Sequence, residues 1–434
     1  MNNHNKLHTN RRQVLRTVSV GTAAGLTGLA GCIGSLDDED DSDAGDDGDD
    51  REESEEIEDI GTVTFGVLEP LTGDFASLAE EQVRGVELGV EHVNGNDEYD
   101  FEIEHEVYDT QLNAEDAVQA ASSAIDREGA DYLTGCISSS VALAINEVAL
   151  DNEVIFAPAA ADVSITGSNC NEYVFRPASN TAQLAEAMTR WTADELGDNI
   201  VYHIADYAYG HSVKQEFESR MEQLSDSYQE VQLTSTDLGE QNYDSALTQI
   251  ADVTDEADAL VVGMTGGGLV NFLRQARERD LHDEIPIVTE TASFAPVLAG
   301  AGESAYGVYT GVRYVPDTDE GDNQAFVSAY EDAYDETPDN FARDGYESVR
   351  MLANGIQEAG TGDPTVVREV LPGIEQETTL GRNEFRECDQ QAMNRVWMGR
   401  AVEPEQGDMA DIDILDVLSG DEAAPDCDSV GCEL

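Results

Sequence analysis

Ser138, Ser139 and Ser140 stand in the middle of the run Asp131–Ala161, DYLTGCISSSVALAINEVALDNEVIFAPAAA. Asp131 to Thr134 reads as a short strand ending at Gly135. After the serines, Val141, Ile145 and Val148 recur at helical spacing. A serine ahead of such a run is a helix N-cap, because its hydroxyl accepts from a backbone N–H that has no partner within the helix. The remaining free N–H groups and the positive end of the helix dipole make that turn a site for an anion such as a carboxylate. Val154 to Ala157 reads as the next strand, closed by Pro158. Ala159, Ala160 and Ala161 then form a small-residue turn that a ligand can approach closely. In a parallel α/β sheet both turns lie at the carboxyl ends of strands, where ligands bind. An ordinary capped helix beside an ordinary turn accounts for the same residues without a ligand.

Other chemistry is excluded by residue type and spacing. The seven histidines are scattered, and none stands at motif spacing from Ser138, so no nucleophile–base pair is predicted. Gly266, Gly267 and Gly268 precede a helical run, but no Lys-Ser/Thr follows and no GxGxxG occurs, which argues against nucleotide binding. No acidic run has EF-hand spacing, and no Cys/His pattern suggests zinc. No metal, cofactor or catalytic residue is expected.

These turns need a scaffold, and strand and helix signals alternate from Gly61 onward. Thr62–Leu68 is an apolar strand, followed by a helix carrying Val83, Val86, Leu88, Val90 and Val93. Phe101–Tyr108 alternates in period two, and Ala114–Arg127 is a second helix. Tyr173–Arg176 is a short strand stopped by Pro177. The pattern then restarts: helix Ala182–Leu196, strand Ile200–Ile204, strand Glu230–Thr234, helix Tyr243–Val253, strand Ala259–Met264 and strand Pro286–Thr289, with Glu290 just beyond. Tyr306–Tyr314 is extended. Asn323–Tyr334 and Phe341–Ala359 are helices, the second with Val349, Leu352 and Ile356 on one face. Glu384–Cys388 and Arg395–Ala401 read as a terminal hairpin. Two successive α/β units, followed by helices able to return to the first, predict two interwoven lobes around a cleft.

The charge is extreme. The 434 residues carry 92 acids against 22 bases, a net charge of −70, and the only lysines are Lys6 and Lys214. The acids are spread along the chain, as expected of a protein that works in high salt, where screening weakens self-repulsion. Such a surface repels phosphate, so nucleic acid is not an expected partner. Asn10–Arg11–Arg12–Gln13–Val14–Leu15–Arg16, ahead of a weakly apolar run, resembles a twin-arginine export signal. Leu29–Ala30–Gly31–Cys32 resembles a lipobox, with Cys32 as the lipidated residue. Leu36–Asp59 holds 16 acidic residues and little that can be buried, so an extended stalk is expected there.

The body from Gly61 to Ala401 resembles branched-chain-amino-acid-type solute-binding proteins of ABC importers, which have the type I periplasmic-binding, or Venus flytrap, fold. The resemblance is carried by FGVLEPLTGDFA (Phe65–Ala76), RGVELGVEHVN (Arg84–Asn94), VYDTQLNAEDAVQAA (Val107–Ala121) and GCISSSVALAINEVA (Gly135–Ala149). VIFAPAAA, YVFRP, DYAYG, LRQARERDL and AGESAYGVY follow in the same order. It implies an α/β fold of two lobes, each a mostly parallel sheet flanked by helices. Lobe 1 is then residues 61–177 plus 313–377, and lobe 2 is 178–312 plus 378–403. A signal (1–31), a stalk beginning at the lipidated cysteine (32–60) and an acidic tail (404–434) complete the chain.

The resemblance also implies roles. Ser138 and Ser139 hold a ligand carboxylate, as do Ala159 and Ala161 in the second turn. The family often has Thr or Ser where this chain has Ala161, so one hydroxyl is missing. Tyr209 closes over the ligand from lobe 2, Glu290 pairs with its ammonium, and Phe75 and Leu78 touch its side chain. The implied function is capture of an amino acid, branched-chain amino acids included, or of a related carboxylate, amide or urea, for delivery to an ABC permease. A ligand-sensing receptor domain of the same fold is the alternative, and an enzyme is not expected. With Cys32 assigned to lipid, Cys136, Cys170, Cys388, Cys427 and Cys432 remain. Cys170–Cys388 is the expected bridge of the body, Cys136–Cys170 its rival, and Cys427 with Cys432 could close a small loop in the tail.

Overall fold

The computed structural model describes residues 60–404 and 409–434. The twin-arginine segment, Cys32 and nearly all of the acidic stalk lie outside the described residues. Among the described residues no helix is long and apolar enough to cross a membrane.

The chain opens with β1 (Gly61–Glu69), α1 (Ala76–Asn94), β2 (Phe101–Asp109), α2 (Ala114–Glu128), β3 (Tyr132–Gly135), α3 (Ser139–Asn152) and β4 (Ile155–Pro158). The four strands form one parallel sheet in the order β2-β1-β3-β4. The apolar run read from the sequence forms the middle of β1, where Phe65 stacks on Tyr132 of β3 at 5.1 Å. Asn113 caps α2 by accepting from the N–H groups of Glu115 and Asp116, and the helix stops at left-handed Gly129.

The second unit comprises α4 (Thr181–Glu195), β5 (Asn199–Ala205), α5 (Ala208–Leu224), β6 (Gln229–Thr236), α6 (Asp244–Ala251), β7 (Ala259–Gly263), α7 (Gly266–Glu278), α8 (Leu281–Glu284), β8 (Ile287–Thr289), α9 (Ala295–Ala301) and β9 (Tyr309–Val312). The chain then returns to the first unit through α10 (Asn323–Tyr334), α11 (Asn340–Ala359) and α12 (Pro364–Val370), with a small hairpin of β10 (Gln376–Thr378) and β11 (Gly381–Asn383). A Cβ on Gly85 of α1 would lie 1.9 Å from the Ala342 carbonyl oxygen, and one on Gly345 would lie 2.3 Å from that of Gln82. Glycine on both helices is what lets the α11 backbone dock against α1. Finally β12 (Val396–Val402) and β13 (Asp411–Leu418) join the second sheet, whose order is β13-β12-β9-β8-β7-β5-β6. β12 is antiparallel to both its neighbours, and β5 to β9 are parallel.

The C-terminal region differs from the sequence reading in three ways. Glu384–Cys388 is not a strand of a hairpin: Phe385 makes only isolated bridges to Pro372 and Ala392, and β12 pairs with β9 and β13 instead. Residues 411–418 are not part of a tail but the edge strand β13. Asp411, Asp413 and Asp416 on that strand hid it in the composition, although acids on an outer strand are a usual guard against edge-to-edge pairing. The expected Cys170–Cys388 bridge, its rival Cys136–Cys170 and the Cys427–Cys432 loop do not form. Cys170 is bonded to Cys432 and Cys388 to Cys427, with Cα separations of 5.6 and 6.0 Å, and Cys136 is a buried free thiol. The segment after β13 comes back to both cysteines, a return over 262 residues that no local pattern encodes.

Peptide mapping of unreduced protein should recover these two bridges and a free Cys136. Cys432→Ser should lower stability by about 2–5 kcal/mol in denaturant melts. Recovery of a 170–388 peptide would contradict the assignment.

Candidate functional site

On lobe 1 the site is built from the turns after β3 and β4. Ser138 occupies the N-cap of α3 with extended backbone (φ −75°, ψ 122°), as the sequence predicts, but its hydroxyl makes no capping hydrogen bond. The cap function is therefore not what uses that side chain. Ser139 Oγ instead accepts from the Asp162 N–H at 3.2 Å and so ties the serine turn to the second turn. The Ala159 N–H donates to the Gly135 carbonyl at 2.8 Å. From beneath, buried Arg176 donates through Nη1 to the carbonyl oxygens of Ala160 (3.1 Å) and Asp162 (2.6 Å). Ala159 and Ala161 are thus fixed by backbone hydrogen bonds and contribute no polar side chain.

On lobe 2, Tyr209 lies in the first turn of α5 and Glu290 just past β8. The Tyr209 hydroxyl donates to Glu290 Oε2 at 3.3 Å. Arg313, which the sequence reading puts at the start of the second lobe 1 stretch, instead follows β9 of the second sheet directly and reaches the same oxygen through Nη2, also at 3.3 Å. Its guanidinium lies 5.4 Å from the centre of the Phe294 ring, and Phe294 meets Phe341 edge-on at 5.0 Å. Phe75 approaches Tyr207 at 6.4 Å, and Tyr207 approaches Tyr209 at 5.9 Å. Phe75, Leu78, Ile137 and Ala159 share one apolar cluster with Phe294 and Phe341, so residues from both lobes form its wall. All eight residues singled out from the sequence are buried. Burial pushes the Glu290 carboxyl up to about 8, against the opposing pull of Arg313 and the Tyr209 hydroxyl.

Sequence reasoning missed Arg313. The available signal was a lone basic side chain at the end of the apolar run Tyr306–Tyr314, in a chain poor in bases.

The lobes touch around the site. The Gly267 N–H donates to the Asp74 carbonyl at 3.1 Å, the Ala208 N–H to Ser140 Oγ at 3.4 Å and the Val163 N–H to Ser212 Oγ at 3.2 Å. This is a closed arrangement. Its tightest approach is at Gly266 (φ +58°), where a Cβ would stand 2.6 Å from the Asp74 carbonyl oxygen and 2.9 Å from the Phe75 ring. Two α/β lobes in contact, with the serine and alanine turns on one and the Tyr209–Glu290–Arg313 set on the other, are the arrangement of a hinge-closing solute binder.

The chain belongs to the periplasmic binding protein family, whose model matches residues 62–408. It is similar to the Leu/Ile/Val-binding protein homolog 3 of Brucella melitensis, 26% identical over 341 residues that span 75% of this chain and 87% of that protein. It is also similar to the leucine-, isoleucine-, valine-, threonine- and alanine-binding protein of Pseudomonas aeruginosa, 21% identical over 75% of this chain and 86% of that one. Among solved structures, an amino acid ABC transporter substrate-binding protein from Pseudomonas fluorescens superposes with a TM-score of 0.76 at 23% identity. The match covers 86% of this chain and 99% of that one. A solute-binding protein from R. palustris, in complex with benzoate, gives 0.73 at 24% identity over 86% and 100%. These structural matches establish the two-lobed type I fold.

Two predictions follow from the geometry. Gly266→Ala should oppose closure by about 1–2 kcal/mol through steric conflict and left-handed strain, weakening by roughly 5- to 30-fold the affinity for any solute that stabilises the parent. Gly267→Ala, whose Cβ would sit at an ordinary 3.6 Å from Asp74, should bind like the parent. Equal affinities for parent and Gly266→Ala in calorimetric titrations would reject the closed contact.

The second concerns pH. Glu290 has a folded pKa raised above its unfolded value near 4.5, so the folded state holds its proton more tightly. Its contribution to stability is complete below about pH 4.5 and is lost as pH rises toward 8, by at most about 1.4 kcal/mol per pH unit. Glu290→Gln should remove that slope. Denaturant melts of both proteins between pH 5 and 8.5 check this, and parallel curves would mean that Glu290 is ionised throughout.

Proposed function

We propose that this chain is the extracytoplasmic solute-binding component of an ABC importer. It captures a small solute bearing a carboxylate, an amino acid or a related compound, by closure of its two lobes, and presents the closed form to a permease. The observation that supports this best is that the two lobes pack together at these residues, Ala161 in one cluster with Tyr209, and Phe75, Ile137 and Ala159 in another with Phe294. The uncommitted Ser138 hydroxyl and the turn at Ala159–Ala161 stand on one lobe, and the Tyr209–Glu290–Arg313 set on the other. A ligand held by both favours the closed form by its differential affinity for it. Binding is noncovalent and the chain is not an enzyme. In the same reading the twin-arginine segment exports the folded chain, lipid on Cys32 anchors it, and the acidic stalk holds the body away from a membrane in a high-salt medium.

A thermal-shift screen of the protein in high salt, against amino acids, amides, urea and small carboxylates, tests the reading. A true ligand at 100 times its dissociation constant stabilises the fold by about 2.7 kcal/mol. A screen without any stabilising solute, or chemical conversion of the one that binds, would overturn it.

A further inference from the structure

We propose that Arg313 makes this site select a small carboxylate that carries no ammonium group, with Glu290 held by Arg313 and not by the ligand. The inference rests on the solute-binding reading above and narrows its ligand class.

One oxygen of Glu290, Oε2, already accepts from two donors. Arg313 Nη2 and the Tyr209 hydroxyl both lie 3.3 Å from Oε2. The Arg313 and Glu290 side chains are 3% and 1% exposed, so water does not screen the pair. With Glu290 ionised the pair is neutral; with Glu290 protonated it is cationic. In neither state does it present an anion to a second cation. An ammonium touching Glu290 would also stand beside the guanidinium in a desolvated site, where like charges repel most strongly.

Two other buried carboxylates, Asp344 and Asp162, are engaged elsewhere. Asp344 pairs with Arg343 at 3.1 Å, and Asp162 Oδ1 accepts from the Ser164 N–H and hydroxyl. Glu216 lines the groove along α5. Arg313 meanwhile has donor capacity left, since its Nε is buried and has no hydrogen-bond partner. A buried donor of that kind is relieved by an acceptor, not by another donor. A hydroxyl, oxo or carboxylate oxygen supplies one; the ammonium of an amino acid cannot, so only its carboxylate could serve there. Phe75 packs near Tyr207 and Phe294 near Phe341, with the Arg313 guanidinium over the Phe294 ring, so the surroundings suit an apolar or aromatic body. The ligand class is therefore an apolar or aromatic carboxylic acid, or its 2-hydroxy or 2-oxo derivative.

Calorimetric titration of the full chain in high salt with matched pairs tests this: leucine against 4-methylpentanoate and 2-hydroxy-4-methylpentanoate, and phenylalanine against 3-phenylpropanoate and 3-phenyllactate. The expected result is that at least one amine-free member binds about ten-fold or more tighter than its amino acid. Arg313→Gln should shrink that ratio by about ten-fold, and Arg313→Lys, which keeps the charge, should largely retain it. A parent protein that prefers the amino acids overturns the inference and leaves solute capture intact. So does a parent that ignores every pair yet is stabilised by another solute of the screen. An unchanged ratio in Arg313→Gln removes Arg313 from the selection. If that variant does not fold, the parent panel and Arg313→Lys still decide. A protein stabilised by no solute at all overturns the solute-binding reading itself.

Discussion

The buried guanidinium of Arg176 is the interaction on which the architecture of the site depends. Its Nη1 holds the carbonyl oxygens of Ala160 and Asp162, its Nη2 donates to Thr166 Oγ1 at 2.6 Å, and its Nε donates to Gln391 Oε1 at 2.6 Å. One side chain thus joins the alanine turn after β4, the loop behind it and the last chain segment passing between the lobes. Gln391 extends the network, donating to the Ala178 carbonyl at 2.8 Å and accepting from Asn180 Nδ2 at 3.3 Å. Burial lowers the Arg176 pKa to about 9, which leaves it cationic at neutral pH. A buried charge is tolerated only when hydrogen bonds replace its hydration, and here each nitrogen has an acceptor. An apolar replacement would strand two turn carbonyls at the point where the lobes are joined.

That arrangement also shows what the charge imbalance leaves inside. The surface is overwhelmingly acidic, yet Arg176, Arg313, Arg343 and Arg350 are all buried, in a chain with 22 basic residues. Arg343 pairs with Asp344, and Arg350 pairs with Asp322 at 2.6 Å. High salt screens repulsion between exposed acids over a few ångströms but hardly touches buried pairs. The interior electrostatics that shape the pocket are therefore far less sensitive to the medium than the surface is. In the proposed reading, a carboxylate would meet the buried Arg313 guanidinium where the medium hardly reaches, and salt in the medium would screen the acidic surface.

Much of the fold was legible. Thr62–Leu68 lies within β1, Asn323–Tyr334 is α10, and Phe341–Ala359 falls one residue short of α11. Each is a long run whose periodicity reports which side is buried, and burial is what the local pattern records. That the serine turn follows β3 and Glu290 follows β8 was legible from the apolar strand signals ahead of them. Arg313, β13 and both disulfides were not. Each depends on a partner supplied by a distant part of the chain: Glu290 for Arg313, the outer edge of β12 for β13, and the returning C-terminal segment for Cys170 and Cys388. An acid-rich alternating run such as DIDILDVL also satisfies the composition of a tail as well as that of an edge strand. Only the neighbour it pairs with decides between the two.

The same returning segment limits how the lobes can move. β13 belongs to the second sheet, but fourteen residues after its last residue Cys432 is bonded to Cys170, which follows the last strand of the first sheet. Between them Cys427 is bonded to Cys388, beside the Arg176–Gln391 crossing. Parts of the two lobes near these cysteines are therefore held by covalent links as well as by chain crossings and the Arg176 network. The contacts at Gly267–Asp74, Ala208–Ser140 and Val163–Ser212 are single hydrogen bonds with no such link. Opening must break these weaker contacts while the bonded segments stay together. In the proposed reading, a ligand bridging Ser138 and Arg313 would act at the interface that lacks such links.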